Sequence, residues 1–168
     1  LLWRDETVDG VKTGHTESAG YCLVSSAKRT GMRLIAVVLG TESEKAREQD
    51  SKALLNYGFR FFETKKLYSA GQKLTDVRAW YGEPEQVGLG PVEDIYITVP
   101  RGQYDNLKAE IEVEQSVEAP VEKGAELGEV IVSLDGDIRL KQPLVSLDAV
   151  VEGGIMTKTR DYMLQMFE

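Results

Sequence analysis

Apolar and β-branched positions crowd into two runs, residues 21–27 and 33–39, with Thr30-Gly31 between them. That pattern predicts a β-hairpin. The stretch Leu34-Ile35-Ala36-Val37-Val38-Leu39 has no polar alternate position, as expected of a central strand buried on both faces. The period then changes. Ser43 is a predicted N-cap, with Glu44 and Glu48 early in the helix that follows. Ala46, Ala53, Leu54, Tyr57, Phe61 and Phe62 recur at three- and four-residue spacing, so the amphipathic helix runs to about residue 63. A hairpin followed by a long helix packs as a helix on one sheet face.

Farther along, short alternating runs stand at 77–81, 94–99, 107–113, 129–134 and 144–147. Turn signals separate them: Gly82-Glu83-Pro84, Gly88-Leu89-Gly90-Pro91, Pro100-Arg101-Gly102 and Asp135-Gly136-Asp137. Many short strands with such turns predict a small β-sandwich or barrel. After Gly153-Gly154, one side of a short helix carries Ile155, Met156, Thr159, Tyr162, Met163, Met166 and Phe167. Lys158, Arg160, Asp161 and Gln165 fall on the other. Such a helix either packs on its own domain or lies on a membrane surface.

Charge follows the same divisions. Residues 1–64 are neutral overall, residues 65–150 carry net −7 and residues 151–168 net −1. With 168 residues, 42% hydrophobic and 29% charged, the chain has the composition of a globular protein of one domain or two small ones. A total of −8 argues against nucleic acid as a partner, because phosphate binding needs a basic face. A single Cys excludes an intramolecular disulfide, and one Cys with one His excludes a multi-cysteine or His-rich metal site. No metal and no cofactor is expected. Cys22, inside an apolar run, reads as a small core residue, and the alternating acids of residues 110–114 read as the wet face of a strand. The opening Leu1-Leu2-Trp3 has neither Met nor a signal-peptide pattern, so the sequence reads as a piece of a longer protein.

The chemistry lies near the start. Val8-Asp9-Gly10-Val11-Lys12-Thr13-Gly14-His15-Thr16 ends a short extended run on Lys-Thr-Gly. On the strand bordering a serine acyl-transfer site this triplet supplies a fixed charge, a hydroxyl for a substrate carboxylate, and room for substrate beside the strand. The bare triplet is weak, but the longer stretches VDGVKTGHTESAGYCLVSSAKR, LLNYGFRFFE and VPRG are specific. Through them the chain resembles the D-alanyl-D-alanine carboxypeptidases, the low-molecular-mass penicillin-binding proteins, most nearly the 5/6 subgroup.

The resemblance implies three parts. Residues 1–64 would be the α/β C-terminal portion of a serine β-lactamase/transpeptidase-like domain, antiparallel strands plus a long helix. Residues 65–150 would be a small all-β sandwich, and residues 151–168 an amphipathic membrane-anchor helix. It also implies roles. Lys12 would hold the site electropositive and tune proton transfers, and the His15 backbone N–H would donate to the oxyanion. Thr13, Gly14, Thr16 and Arg47 would bind substrate, the Arg47 guanidinium suiting a terminal carboxylate.

The family's nucleophile motif, Ser-x-x-Lys at a helix start, and its Ser-x-Asn motif have no counterpart upstream of Lys12. The string Ser25-Ser26-Ala27-Lys28 is rejected as a substitute, since residues three apart on a strand point to opposite faces. The parent is thus expected to be a serine D-Ala-D-Ala carboxypeptidase that trims peptidoglycan pentapeptides through an acyl-enzyme and is acylated by β-lactams. It would be peripheral on the periplasmic side of the bacterial inner membrane, and this chain alone would be inactive without the missing N-terminal part. Two alternatives are a non-catalytic stalk or interaction module and a β-lactamase-type hydrolase.

Overall fold

Three antiparallel strands open the computed structural model, which describes residues 5–166. They are β1 (Val8–Thr16), β2 (Gly20–Arg29) and β3 (Met32–Thr41), in the sheet order β1-β2-β3. Thr30 and Gly31 both take positive φ (48° and 83°), the two-residue turn that matches strand twist, and register follows from it, with Arg29 opposite Met32 and Ser25 opposite Ala36. The expected central strand is β3, the last of the three strands that the described residues place in this sheet. Leu34, Ala36 and Val38 face the core side, while Ile35, Val37 and Leu39 stay exposed, Leu39 at 70%.

Helix α1 (Glu44–Phe61) starts where expected, with the Ser43 hydroxyl accepting from the Ala46 N–H at 3.1 Å. Ser43→Ala is expected to cost about 1 kcal/mol in urea unfolding, the usual loss for an N-cap hydroxyl. The buried face is not the expected one. Leu54, Tyr57 and Phe61 are exposed, and the helix meets the sheet through Ser51, Leu55, Gly58 and Phe59. The helix comes close at Gly58, where an added Cβ would stand 2.4 Å from Leu34 Cδ1 and Leu34 would have to move to admit it. Leu55 packs with Val8, Ala27 and Ala36. Arg29 ties the layers, donating to Asp5 Oδ2 (3.1 Å), Thr7 Oγ1 (3.1 Å) and Asn56 Oδ1 (3.0 Å) with its guanidinium over Phe59. Cys22 is half-buried rather than in the core, its thiol turned to the carbonyls of Ala19 and Gly20.

The remaining strands are β4 (Phe62–Tyr68), β5 (Thr75–Trp80), β6 (Gly82–Glu83), β7 (Gln86–Gly90), β8 (Ile95–Pro100), β9 (Leu107–Val113), β10 (Ser116–Glu118), β11 (Glu126–Leu134), β12 (Asp137–Ser146) and β13 (Val151–Glu152). Six form one sheet in the order β10-β5-β7-β12-β11-β9, with β10 and β5 parallel and every other pair antiparallel. Two-stranded ladders join β13 to β6 and β4 to β8. Asp135 and Gly136 turn β11 into β12 with positive φ at both positions, as the Asp-Gly pair predicts.

The turn expected at residues 88–91 is a strand. Gly88 and Gly90 sit in β7 between β5 and β12, and a Cβ on Gly90 would lie 2.3 Å from the Gln72 carbonyl oxygen. Gly90 leaves room for a neighbouring backbone and Gly88 for the Lys73 side chain, a second use of glycine that sequence alone does not separate from turn-making.

Contacts divide the chain into two units, one of residues through Lys65 with Thr98–Tyr104, the other of Lys66–Ile97 with residues from Asp105 on. The second unit ends in helix α2 (Ile155–Gln165). Of the side expected to be apolar, Ile155, Met156, Tyr162, Met163 and Met166 are exposed, and the expected Phe167 lies outside the described residues. The one fully buried residue of α2 is Asp161.

Candidate functional site

Lys12, Thr13, Gly14, His15 and Thr16 are consecutive on β1, opposite Val24, Leu23, Cys22, Tyr21 and Gly20 of β2. Among the described residues β1 pairs only with β2, so one row of its backbone groups has no strand beside it, which is what a peptide lying along it requires. Lys12 is exposed and its Nζ donates to its neighbour's carbonyl, Thr13 O, at 2.8 Å. A hollow of about 390 Å³ opens beside this strand, lined by Lys12, Thr13, Ser25, Glu44, Arg47 and Glu48 among others.

Arg47 comes from the first turns of α1, 33 residues after Gly14, yet its Nη1 reaches the Gly14 carbonyl at 3.4 Å. The side chain is only 12% exposed. Its Nη2 donates to Glu44 Oε1 at 3.2 Å and its guanidinium lies 5.5 Å from the Tyr21 ring. Tyr21 in turn stacks on His15 with centroids 4.0 Å apart. The N-cap at Ser43 sets where the helix begins, and so which residue points back at β1. The fold therefore brings Lys12, Thr13, Gly14, His15 and Arg47 together.

Thr16 differs from them. Its hydroxyl accepts from the Ala19 N–H (3.0 Å) and pairs with Ser18, so it builds the β1–β2 turn. Residues not singled out for the site also belong here. Tyr21 is opposite His15 in register, and Glu44 and Glu48 balance Lys12 and Arg47, so the hollow is not strongly cationic as a whole. A carboxylate ligand would have to displace Glu44 from Arg47 or bind at the Lys12–Thr13 end. The i,i+3 spacing of Glu44 and Arg47 was the available signal for their ion pair.

The rejected Ser25-x-x-Lys28 string lies wholly in β2, where Ser25 is fully buried and Lys28 exposed. Near the base of β1, Asp9 pairs with Arg33 at 2.8 Å. The Arg33 hydrogen bond, assisted by Ser26, holds the Asp9 carboxyl at about 2. Since the folded value lies below the unfolded one, the stabilisation is complete above the ordinary carboxylate range and disappears as pH falls through about 2. Asp9→Asn should therefore lower stability slightly at neutral pH and flatten the acid limb of a pH–stability curve below about pH 4, so that the two proteins converge at low pH.

A family model described as penicillin-binding protein 5, C-terminal domain, matches residues 62–152, and one described as D-alanyl-D-alanine carboxypeptidase matches residues 1–43. The chain belongs to the penicillin-binding protein 5 family of D-alanyl-D-alanine carboxypeptidases. Its similarity to D-alanyl-D-alanine carboxypeptidase DacA of Escherichia coli K12 is 42% identity over 99% of this chain and 42% of the relative. For DacF of Bacillus subtilis the identity is 35% over 89% of this chain and 39% of the relative. The crystal structure of penicillin-binding protein 5 from Haemophilus influenzae superposes with a TM-score of 0.83 at 42% identity, covering 90% of this chain and 45% of that one.

This penicillin-binding protein 5 family chain thus spans about two fifths of the length of the curated relatives it matches. Lys12 to Thr16 fall within the carboxypeptidase match, while Arg47 lies between the two matched ranges and α2 beyond them. For Arg47 and α2 the geometry of this chain carries the argument.

Proposed function

We propose that this chain forms the Lys-Thr-Gly wall and the β-rich portion of a serine D-Ala-D-Ala carboxypeptidase acting on peptidoglycan pentapeptides. The observation that carries the reading is the meeting of Arg47 with the Lys12–His15 strand across 33 residues of sequence. On this reading the substrate peptide lies along the free edge of β1. Thr13 and Arg47 receive its terminal carboxylate, and Gly14 leaves room for its backbone.

The nucleophile comes from polypeptide outside this sequence. Its serine oxygen attacks the carbonyl of the penultimate D-Ala, and the His15 N–H, with the serine's own N–H, holds the oxyanion. The C–N bond breaks, the terminal D-Ala leaves as a protonated amine, and water then hydrolyses the ester. Lys12 supplies fixed positive charge beside these proton transfers. A β-lactam follows the same first step, but its leaving nitrogen stays tethered, so the acyl-enzyme persists. Fluorescent penicillin tests the reading. A longer protein carrying the upstream segment should label at a serine of that segment, and this chain alone should not; labelling of this chain at Ser25 would overturn the assignment.

On the same reading, residues 1–64 complete a serine β-lactamase/transpeptidase-like domain. Residues 65–150 form a small β-sandwich that serves as a stalk, and within residues 151–168 helix α2 lies on the periplasmic surface of the inner membrane. Support for the last comes from the outward apolar side of α2, Ile155 and Met156 being 86% and 88% exposed. No helix among the described residues is long and apolar enough to cross a membrane. Removing residues 153–168 should abolish pelleting with liposomes, and unchanged pelleting would refute the anchor.

A further inference from the structure

Helix α2 is amphipathic, yet it is attached by the side that a soluble helix normally turns to water. The stripe that faces the second unit is Thr157, Asp161 and Gln165, one residue every fourth position, while the adjoining apolar side is exposed. Asp161 is the only charged side chain among the described residues that is fully buried, at 1% exposure. A buried carboxylate is tolerated only when partners surround it, and here they do. Asp161 Oδ2 accepts from the Tyr81 N–H at 2.8 Å, and Oδ1 accepts from Arg160 Nε and Nη2 at 3.1 and 3.0 Å. Arg78 Nη2 stands 3.7 Å away on β5, its guanidinium stacked 3.7 Å over Trp80. Flanking contacts repeat the theme, with Arg160 Nη1 to Glu85 Oε1 at 2.7 Å and the Tyr81 hydroxyl on Gln165.

We propose that Asp161 is a positioning residue, a polar latch that holds α2 on the second unit with its apolar side already turned outward toward a lipid surface. The proposal rests on the lipid-surface reading of α2 given above and adds how that surface is presented. A helix tethered only by Gly153-Gly154 would roll its apolar side onto the nearest apolar patch of its own unit. The buried carboxylate opposes that roll, because turning Asp161 away from Arg78 and Tyr81 breaks its contacts outside the helix and leaves it only Arg160 of α2 itself. The latch thus presets the face that meets the bilayer, so that docking needs no prior rearrangement of the helix.

Three versions of the full chain test this: the parent, Asp161→Asn and Arg78→Met. Hydrogen exchange is measured without lipid, and co-sedimentation with vesicles of phosphatidylethanolamine and phosphatidylglycerol. Both variants should exchange the amides of Ile155–Gln165 about tenfold faster or more than the parent, with β11 and β12 still protected, and should pellet less. Equal protection of α2 in Asp161→Asn would overturn the latch. Loss of protection in β11 and β12 as well would also overturn it, by making the carboxylate part of the general fold.

A fourth version, Ile155→Glu with Met156→Glu, separates the latch from the lipid reading. It should keep α2 protected and stop pelleting. Undiminished pelleting of this fourth version would refute the lipid surface while the exchange result judged the latch. A lipid-free dimer in the parent that this version loses would identify the occupant as a second copy instead.

Discussion

Lys12→Ala, introduced into a longer protein that carries the nucleophile, is expected to slow acylation by fluorescent penicillin by about a hundredfold or more, the scale of losing one preorganised charge in an acyl-transfer site. The side chain is exposed and its one hydrogen bond goes to the adjacent carbonyl, so the fold should be indifferent to its removal. An unchanged melting temperature is therefore the control. Arg47→Ala should act differently. Its guanidinium donates to the Gly14 carbonyl and, on the proposed reading, receives the substrate carboxylate, so the loss should fall mainly on KM for substrates ending in a free carboxylate. If Lys12→Ala acylated at the parental rate, the assignment of β1 as a wall of the acyl-transfer cleft would fall.

The second large effect concerns stability. Leu144→Ala should destabilise the second unit by about 2–5 kcal/mol, the cost of emptying a leucine-sized space in a packed core. Leu144 is fully buried on β12, which lies between β7 and β11 inside the six-stranded sheet. Ile138→Ala, on the same strand but 59% exposed, should cost less than about 0.5 kcal/mol. Denaturant unfolding followed through Trp80, which is buried in the same unit, reads both. Similar losses for the two variants would mean that β12 is not packed as described.

Much of the site was legible because its chemistry is contiguous: Lys12 to Thr16 are neighbours on one strand, and strand neighbours stay together whatever the rest of the chain does. Arg47 was reachable through resemblance, but its seat on the Gly14 carbonyl and against Tyr21 depends on where α1 begins and how it crosses the sheet. Tyr21 went unnoticed because a half-buried aromatic opening an apolar run reads as core. The glycines of β7 were mistaken for a turn since both uses of glycine leave the same letter in the sequence. On α1 the larger apolar residues, Leu54, Tyr57 and Phe61, are exposed in this chain, while Leu55 packs against its three-stranded sheet.

What the sequence by itself determined is local: the Thr30-Gly31 and Asp135-Gly136 turns, the Ser43 cap, the register of the hairpins, and the Lys-Thr-Gly strand. These rest on backbone preferences and hydrogen bonds spanning a few residues. Only the tertiary structure decided that α1 seats on Ser51 and Gly58, and that α2 attaches by Asp161. Those choices turn on the shape and charge of surfaces made by distant segments; the N–H that donates to Asp161 lies 80 residues away. A helix carries two faces in its sequence, and which one is buried depends on what stands opposite.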